Sequence, residues 1–116
     1  MNSFEIIYEA EEDVLEVTFD SMSVDESLSR AIALNEEIVL HTDALMSAAW
    51  GITFYSYARL LQVTETHLDE LEPLDTNNRN RVLAMLLKEP VSKFLEILDT
   101  EQLRALVKAP RISELF

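Results

Sequence analysis

The chain has no cysteine, a single glycine and two histidines, and its first 72 residues hold only two basic side chains, Arg30 and Arg59. Without cysteine there is no disulfide framework, no thiol nucleophile and no cysteine zinc site, as fits a reducing compartment. No apolar run approaches the roughly 18 residues a membrane-spanning helix needs, and Met1 to Glu5 lacks the basic and apolar regions of a signal peptide. The expectation is a cytoplasmic protein with no membrane partner. The shortage of basic residues is local. Residues 1–72 carry sixteen Asp and Glu against those two arginines, whereas residues 73–116 carry six acidic against seven basic side chains. The whole chain reaches −13. A field this negative repels phosphates and anionic lipid and steers basic partners inward, so nucleic acid is not an expected ligand.

What is present points to a folded domain. The 116 residues are 48% hydrophobic with a mean hydropathy of +0.04, well above the apolar content of disordered chains of comparable charge. One domain spanning 1–116 is expected, with a sheet over 4–57 and a helical region over 58–116. Phe4, Ile6 and Tyr8 alternate with Glu5, Ile7 and Glu9, and Leu15, Val17 and Phe19 alternate with Glu16 and Thr18. This period of two predicts a hairpin turning through the acidic run Glu9 to Asp13. A second hairpin is predicted from Leu28, Ile32 and Leu34 through Asn35-Glu36-Glu37 into Ile38-Val39-Leu40. A longer strand follows from Ala48 to Tyr57, where the lone Gly51 marks a bulge or a close backbone approach.

After Tyr57 the period changes to that of helices. Thr64 or Thr66 is placed to cap a short acidic helix ending near Pro73, and Asp75 to cap the next, with Val82, Leu83, Leu86 and Leu87 on one face. Pro90 breaks this helix or opens another. Val91, Phe94, Leu95 and Leu98 then fall at helical spacing, and Thr100 caps a last helix with Leu103, Leu106 and Val107. Pro110 stops it before an apolar hook of Ile112, Leu115 and Phe116. The expected fold is α+β, an antiparallel meander of four or five strands followed by three or four helices covering one face.

The segment Tyr8-Glu9-Ala10-Glu11-Glu12-Asp13-Val14-Leu15-Glu16-Val17 resembles the opening hairpin of a bacterial family described as domain of unknown function 2283. Trp50-Gly51-Ile52-Thr53-Phe54 is similar to that family's glycine-led strand, so the resemblance runs from about Phe4 to Leu61. Glu9 stands where that family usually has Asp, and Glu16 where an aromatic is common. The resemblance implies a compact antiparallel sheet paired with a second copy, no established activity, and in some members a likeness to the acidic partner of toxin and antitoxin pairs.

No catalytic or cofactor signature is found. The carboxylates Glu9, Glu11, Glu12 and Asp13 lack the spacing and glycine of a calcium loop and read as a solvated hairpin tip. His41 and Asp43 have the makings of a general base, but no serine or cysteine nucleophile matches them. Trp50, Phe54, Tyr55 and Tyr57 lie in the acidic half, without the basic groove of a stacking surface, and read as core and dimer packing. Arg79, Arg81, Lys88, Lys93, Arg104, Lys108 and Arg111 are spread among the predicted helices as a solvated face or as partners of the acidic sheet. The chain is therefore expected to be a non-enzymatic interaction module, an antitoxin-like neutraliser or adaptor that binds a basic protein. Its expected contact residues are Glu9, Glu11, Glu12, Asp13, Glu36, Glu37, Leu115 and Phe116, no cofactor is expected, and unprotected sheet edges favour a homodimer. Two other classes fit the composition: a metal-dependent hydrolase using Glu9, Glu11, Asp13 and His41, and an acidic mimic of nucleic acid.

Overall fold

In the computed structural model the described residues are 4–19, 29–46, 48–89 and 91–109. The first half forms the predicted strands: β1 (Phe4–Glu9), β2 (Val14–Phe19), β3 (Arg30–Ala33), β4 (Ile38–Thr42) and β5 (Ala49–Tyr55). They make one antiparallel sheet, but not a meander. The order is β1-β2-β5-β4-β3, with β5 inserted between the two predicted hairpins. β5 is thereby the central strand, and Gly51 to Phe54 on it are four consecutive buried residues.

The second half departs from expectation more sharply. It holds two α-helices, α1 (Tyr57–Gln62) and α2 (Thr76–Leu87), and three further strands, β6 (Thr66–His67), β7 (Leu95–Asp99) and β8 (Arg104–Val107). These strands form a second antiparallel sheet in the order β6-β8-β7. Among the described residues the fold is thus mostly β, with eight strands in two sheets, and the expectation of a meander followed by three or four helices is overturned. Of the predicted helices only the one after Asp75 is present, with Val82, Leu83, Met85 and Leu86 buried and Leu87 exposed.

The segments misread as helices have a physical account. Leu95 and Ile97 turn toward the core while Glu96 and Leu98 face out, and Leu98 is 47% exposed where a helix would have buried it. Asp99 accepts hydrogen bonds from the amides of Glu101 and Gln102 at 2.9 and 3.0 Å, folding the chain back into a hairpin before a helix could start at Thr100. Those amides hold the Asp99 carboxyl below its usual pKa. Between Thr66 and Glu72 the expected acidic helix is a two-residue strand and a single 3₁₀ turn, Asp69–Leu71, anchored by the fully buried Leu68 and Leu71. The Arg79 guanidinium donates to the carbonyls of Leu71, Glu72 and Leu74, tying α2 to the chain that leaves this turn.

One buried cluster runs from Leu15 to Val107 and draws on both sheets and α2. Asn35 stitches the sheets together. Its amide donates to Thr66 Oγ1 and to the His67 carbonyl, both at 3.1 Å, and its carbonyl accepts the Glu37 amide at 2.8 Å. Among the described residues no helix is long and apolar enough to cross a membrane.

Candidate interaction surface

Strand register decides which of the predicted contact residues meet. Val14 lies opposite Tyr55, and the amide of Tyr55 bonds the Glu37 carbonyl, so the turn after β1 and the turn before β4 occupy the same end of the large sheet. Glu9, Glu11, Glu12 and Asp13 are thereby brought toward Glu36 and Glu37, although more than twenty residues of sequence separate the two groups. Leu115 and Phe116 lie outside the described residues, as do Pro90 and Pro110.

The six carboxylates at this end do different things. Asp13 is structural. Its carboxylate accepts the Ala58 amide at 3.0 and 3.1 Å and the Tyr8 hydroxyl at 2.6 Å, and its carbonyl accepts the Tyr57 amide at 3.0 Å. Helices begin with amides that have no partner within the helix, and here a carboxylate from the neighbouring hairpin supplies one. Ser56, the residue next to the helix start, makes no side-chain cap. The Tyr8 hydroxyl and the amides of Ala58 and Arg59 hold Asp13 below the usual carboxylate range, and the same hydrogen bond raises the Tyr8 phenol. Glu37 pairs with Arg59 on α1. Glu9, Glu11, Glu12 and Glu36 are exposed, and among the described residues their carboxylates have no ion pair.

The face of the sheet turned away from α2 carries the second notable arrangement. Opposite His41 the β5 strand gains an extra residue: Gly51 pairs with His41, while Thr42 pairs with Ala49. The bulge turns Trp50 out of the alternation that would have buried it and lays its ring on the His41 imidazole, at 5.0 Å between centroids and 29° between planes. The indole then donates to the Thr42 carbonyl at 3.1 Å. Gly51 is required here. A Cβ on it would lie 2.8 Å from the Val17 carbonyl oxygen, so both the bulge and the close approach expected of this glycine are present. Trp50 is consequently not part of the core, which corrects its reading as core packing, whereas Phe54 is fully buried and Tyr57 rests partly against the core. His41 Nε2 lies 2.8 Å from Thr53 Oγ1, and partial burial lowers the imidazole pKa against an opposing pull from Glu16.

This geometry bears on the hydrolase alternative. His41 is level with Gly51 and, across β5, with Thr18, whereas the acidic turn precedes Val14. Four residues of strand separate the two levels, about 13 Å. His41 and the hairpin carboxylates are therefore not assembled into one site. Asp43 serves the next loop, accepting the Ala48 amide on its carboxylate at 3.2 Å.

Two features were not found from sequence: Asp13 as a helix cap across forty-five residues and Arg59 as the cation among the carboxylates. Only the acidity of the run was visible, because capping across a hairpin leaves no local spacing. Comparison of the chain with protein-family models, with curated proteins and with solved structures finds no match.

Proposed function

We propose that this chain is a non-enzymatic protein interaction module whose acidic sheet engages a basic protein surface, as a neutraliser or adaptor does. One observation carries the reading. Glu9, Glu11, Glu12 and Glu36, distant in sequence, stand exposed at the same end of one sheet, where the basic side chain in the intervening helix, Arg59, is already paired with Glu37. Carboxylates gathered in this way create a directed negative potential, which accelerates capture of a basic partner more than it tightens the final complex. The resemblance of the first half to a family of unknown function, some members of which are similar to the acidic partner of toxin and antitoxin pairs, agrees with this reading.

The test is kinetic. Replacing Glu9, Glu11, Glu12 and Glu36 together by lysine is expected to slow association with a basic partner, first isolated by salt elution, by at least about tenfold at low ionic strength. An association rate indifferent both to salt and to this charge reversal would refute the acidic-face mechanism.

A further inference from the structure

We propose that the free edge of β1 is a docking strand for an extended basic segment of another protein, which adds to the large sheet as a sixth strand. The proposal deepens the reading above and rests on it. The large sheet has two edges, and they are not alike. β3 is four residues long, and the chain leaving it is tied down at once: the Leu34 carbonyl accepts the Glu70 amide, and Asn35 bonds to Thr66 and His67. β1 is six residues long, pairs with β2 in an unbroken register from Phe4 to Glu9, and has no strand on its other side among the described residues. Its outer row of backbone groups is a template for a further strand.

Proteins usually blunt such an edge with proline, lysine or a bulge. β1 has none of these. Ile6, Ile7 and Tyr8 are 43%, 41% and 48% exposed, so apolar surface is offered on both faces of the strand. The charge that is present is negative. By register, Glu5, Ile7 and Glu9 share the face of Glu16 and Thr18, while Ile6 and Tyr8 share that of Leu15 and Val17. A complementary strand therefore reads basic-apolar-apolar-apolar-basic: cations opposite Glu5 and Glu9, an apolar or threonine side chain opposite Ile7, and apolar side chains beside Ile6 and Tyr8. Main-chain bonding supplies affinity in this mode, and alternate side chains supply specificity.

A second copy fits less well. Two-fold pairing keeps each face in register with itself, so either Ile6 meets Ile6 or Ile7 meets Ile7. In the second arrangement Glu5 lies directly on Glu9, and both arrangements crowd Glu5, Glu9, Glu11 and Glu12 of two chains along one seam. Like charges opposed across strands are destabilising.

The experiment uses the full chain and a synthetic peptide with the core Lys-Val-Thr-Val-Lys flanked by threonines, alongside two versions N-methylated at alternate residues along one edge or the other. Affinity and amide hydrogen exchange are measured together. The expected result is slowed exchange at alternate amides of β1, with affinity lost more than about tenfold on N-methylation of one edge and retained on the other. Affinity should also fall for the Glu5→Lys, Glu9→Lys double variant. If instead the peptide perturbs the 10–13 and 34–37 turns and ignores N-methylation, the edge proposal fails while the acidic-face reading stands. Protection of β1 amides without peptide in a sedimenting dimer overturns the proposal in favour of a second copy. No binding of the peptide anywhere overturns the edge proposal, and salt-insensitive association of the natural partner, measured separately, overturns the broader reading.

Discussion

The two faces of the five-stranded sheet are built from alternate residues of the same strands and yet answer to different demands. On one, Val17, Ile38, Leu40, Ile52 and Phe54 are sealed under α2 and the small sheet. On the other, Glu16 and Tyr55 are exposed, Thr18, His41 and Trp50 are half-buried and Thr53 is buried and bonded to His41, a polar and aromatic face whose largest ring is there because of a bulge. Stability is concentrated on the first face, whereas the second, its acidic end and the β1 edge are the more exposed among the described residues. Neighbours in sequence thus differ greatly in what their loss costs.

The most direct way to break this contrast is to truncate two adjacent aromatics. Phe54→Ala empties a fully buried site and is expected to cost about 3–5 kcal/mol, a large fraction of the stability of a domain this size. Tyr55→Ala removes a ring from the open face and should cost no more than about 1 kcal/mol. Urea denaturation of the pair measures both, and equal losses would mean the faces are misassigned. The next largest effect is expected at Gly51, where the two faces are coupled. In Gly51→Ala the new methyl meets a backbone oxygen that cannot swing aside, so the strands must part, at about 1–3 kcal/mol. Trp50 fluorescence should shift with it, since the same bulge positions the indole. An unchanged spectrum with wild-type stability would show that the close approach is not real.

How much of this was legible depends on whether a segment's surroundings agree with its local pattern. β2 announces itself by alternation because one side of it meets the core, β4 by the apolar run that follows the Asn35-Glu36-Glu37 turn, and β1 alternates in sequence although residues 5–9 are exposed on both faces. β7 and β8 do not, since the apolar residues in and around them also fall at helical spacing, so a period of 3.6 competes with a period of two. Val91, Phe94, Leu95 and Leu98 satisfy the helical spacing as well as any true helix does. Asp99 decides between them by bonding the amides ahead of it, a choice that composition alone does not show. The candidate surface was half legible in the same sense. Its carboxylates were visible as a charge excess, but their gathering at one end follows from β5 entering between the hairpins, and the division of Asp13 and Glu37 from the exposed four follows from α1, a six-residue helix without a sequence signature.

Acid sharpens the comparison further, because each region has one titrating group with a depressed pKa. A folded-state value below the unfolded one means that the unfolded chain binds the proton more readily, so stability is complete above the unfolded pKa and is lost as pH falls through the folded one. For His41 on the open face the ordinary value is 6.5, and a first loss of stability is expected as pH drops below it. For Asp13 at the acidic end the ordinary value is 3.8, and a second loss follows at still lower pH as the cap on α1 is protonated. Melting curves across the acid range should therefore show two separate declines. His41→Gln should remove the upper one and Asp13→Asn should shrink the lower, to which Asp99 also contributes; declines untouched by either variant would place the acid sensitivity elsewhere.

The smallest expected effect has the opposite sign. A chain with one glycine must place other residues in left-handed backbone, and Asp13, Met46, Ser56 and Leu103 all have φ near 55–57°. Asp13 tolerates this through its side-chain bonds, and Met46 and Leu103 are buried, so their side chains offset the strain. Ser56 has neither compensation: it makes no side-chain cap and is only partly buried where β5 leaves the sheet for α1. Ser56→Gly should therefore relieve about 1–2 kcal/mol of left-handed strain while giving back about 0.4–1 kcal/mol through the freer unfolded chain, for a net gain between about 0 and 1.6 kcal/mol. A rise of a few degrees in Tm would confirm that this corner stores strain. A fall would mean that the Ser56 side chain supports the turn, and that the junction between the sealed sheet and its acidic end is held by more than the Asp13 cap.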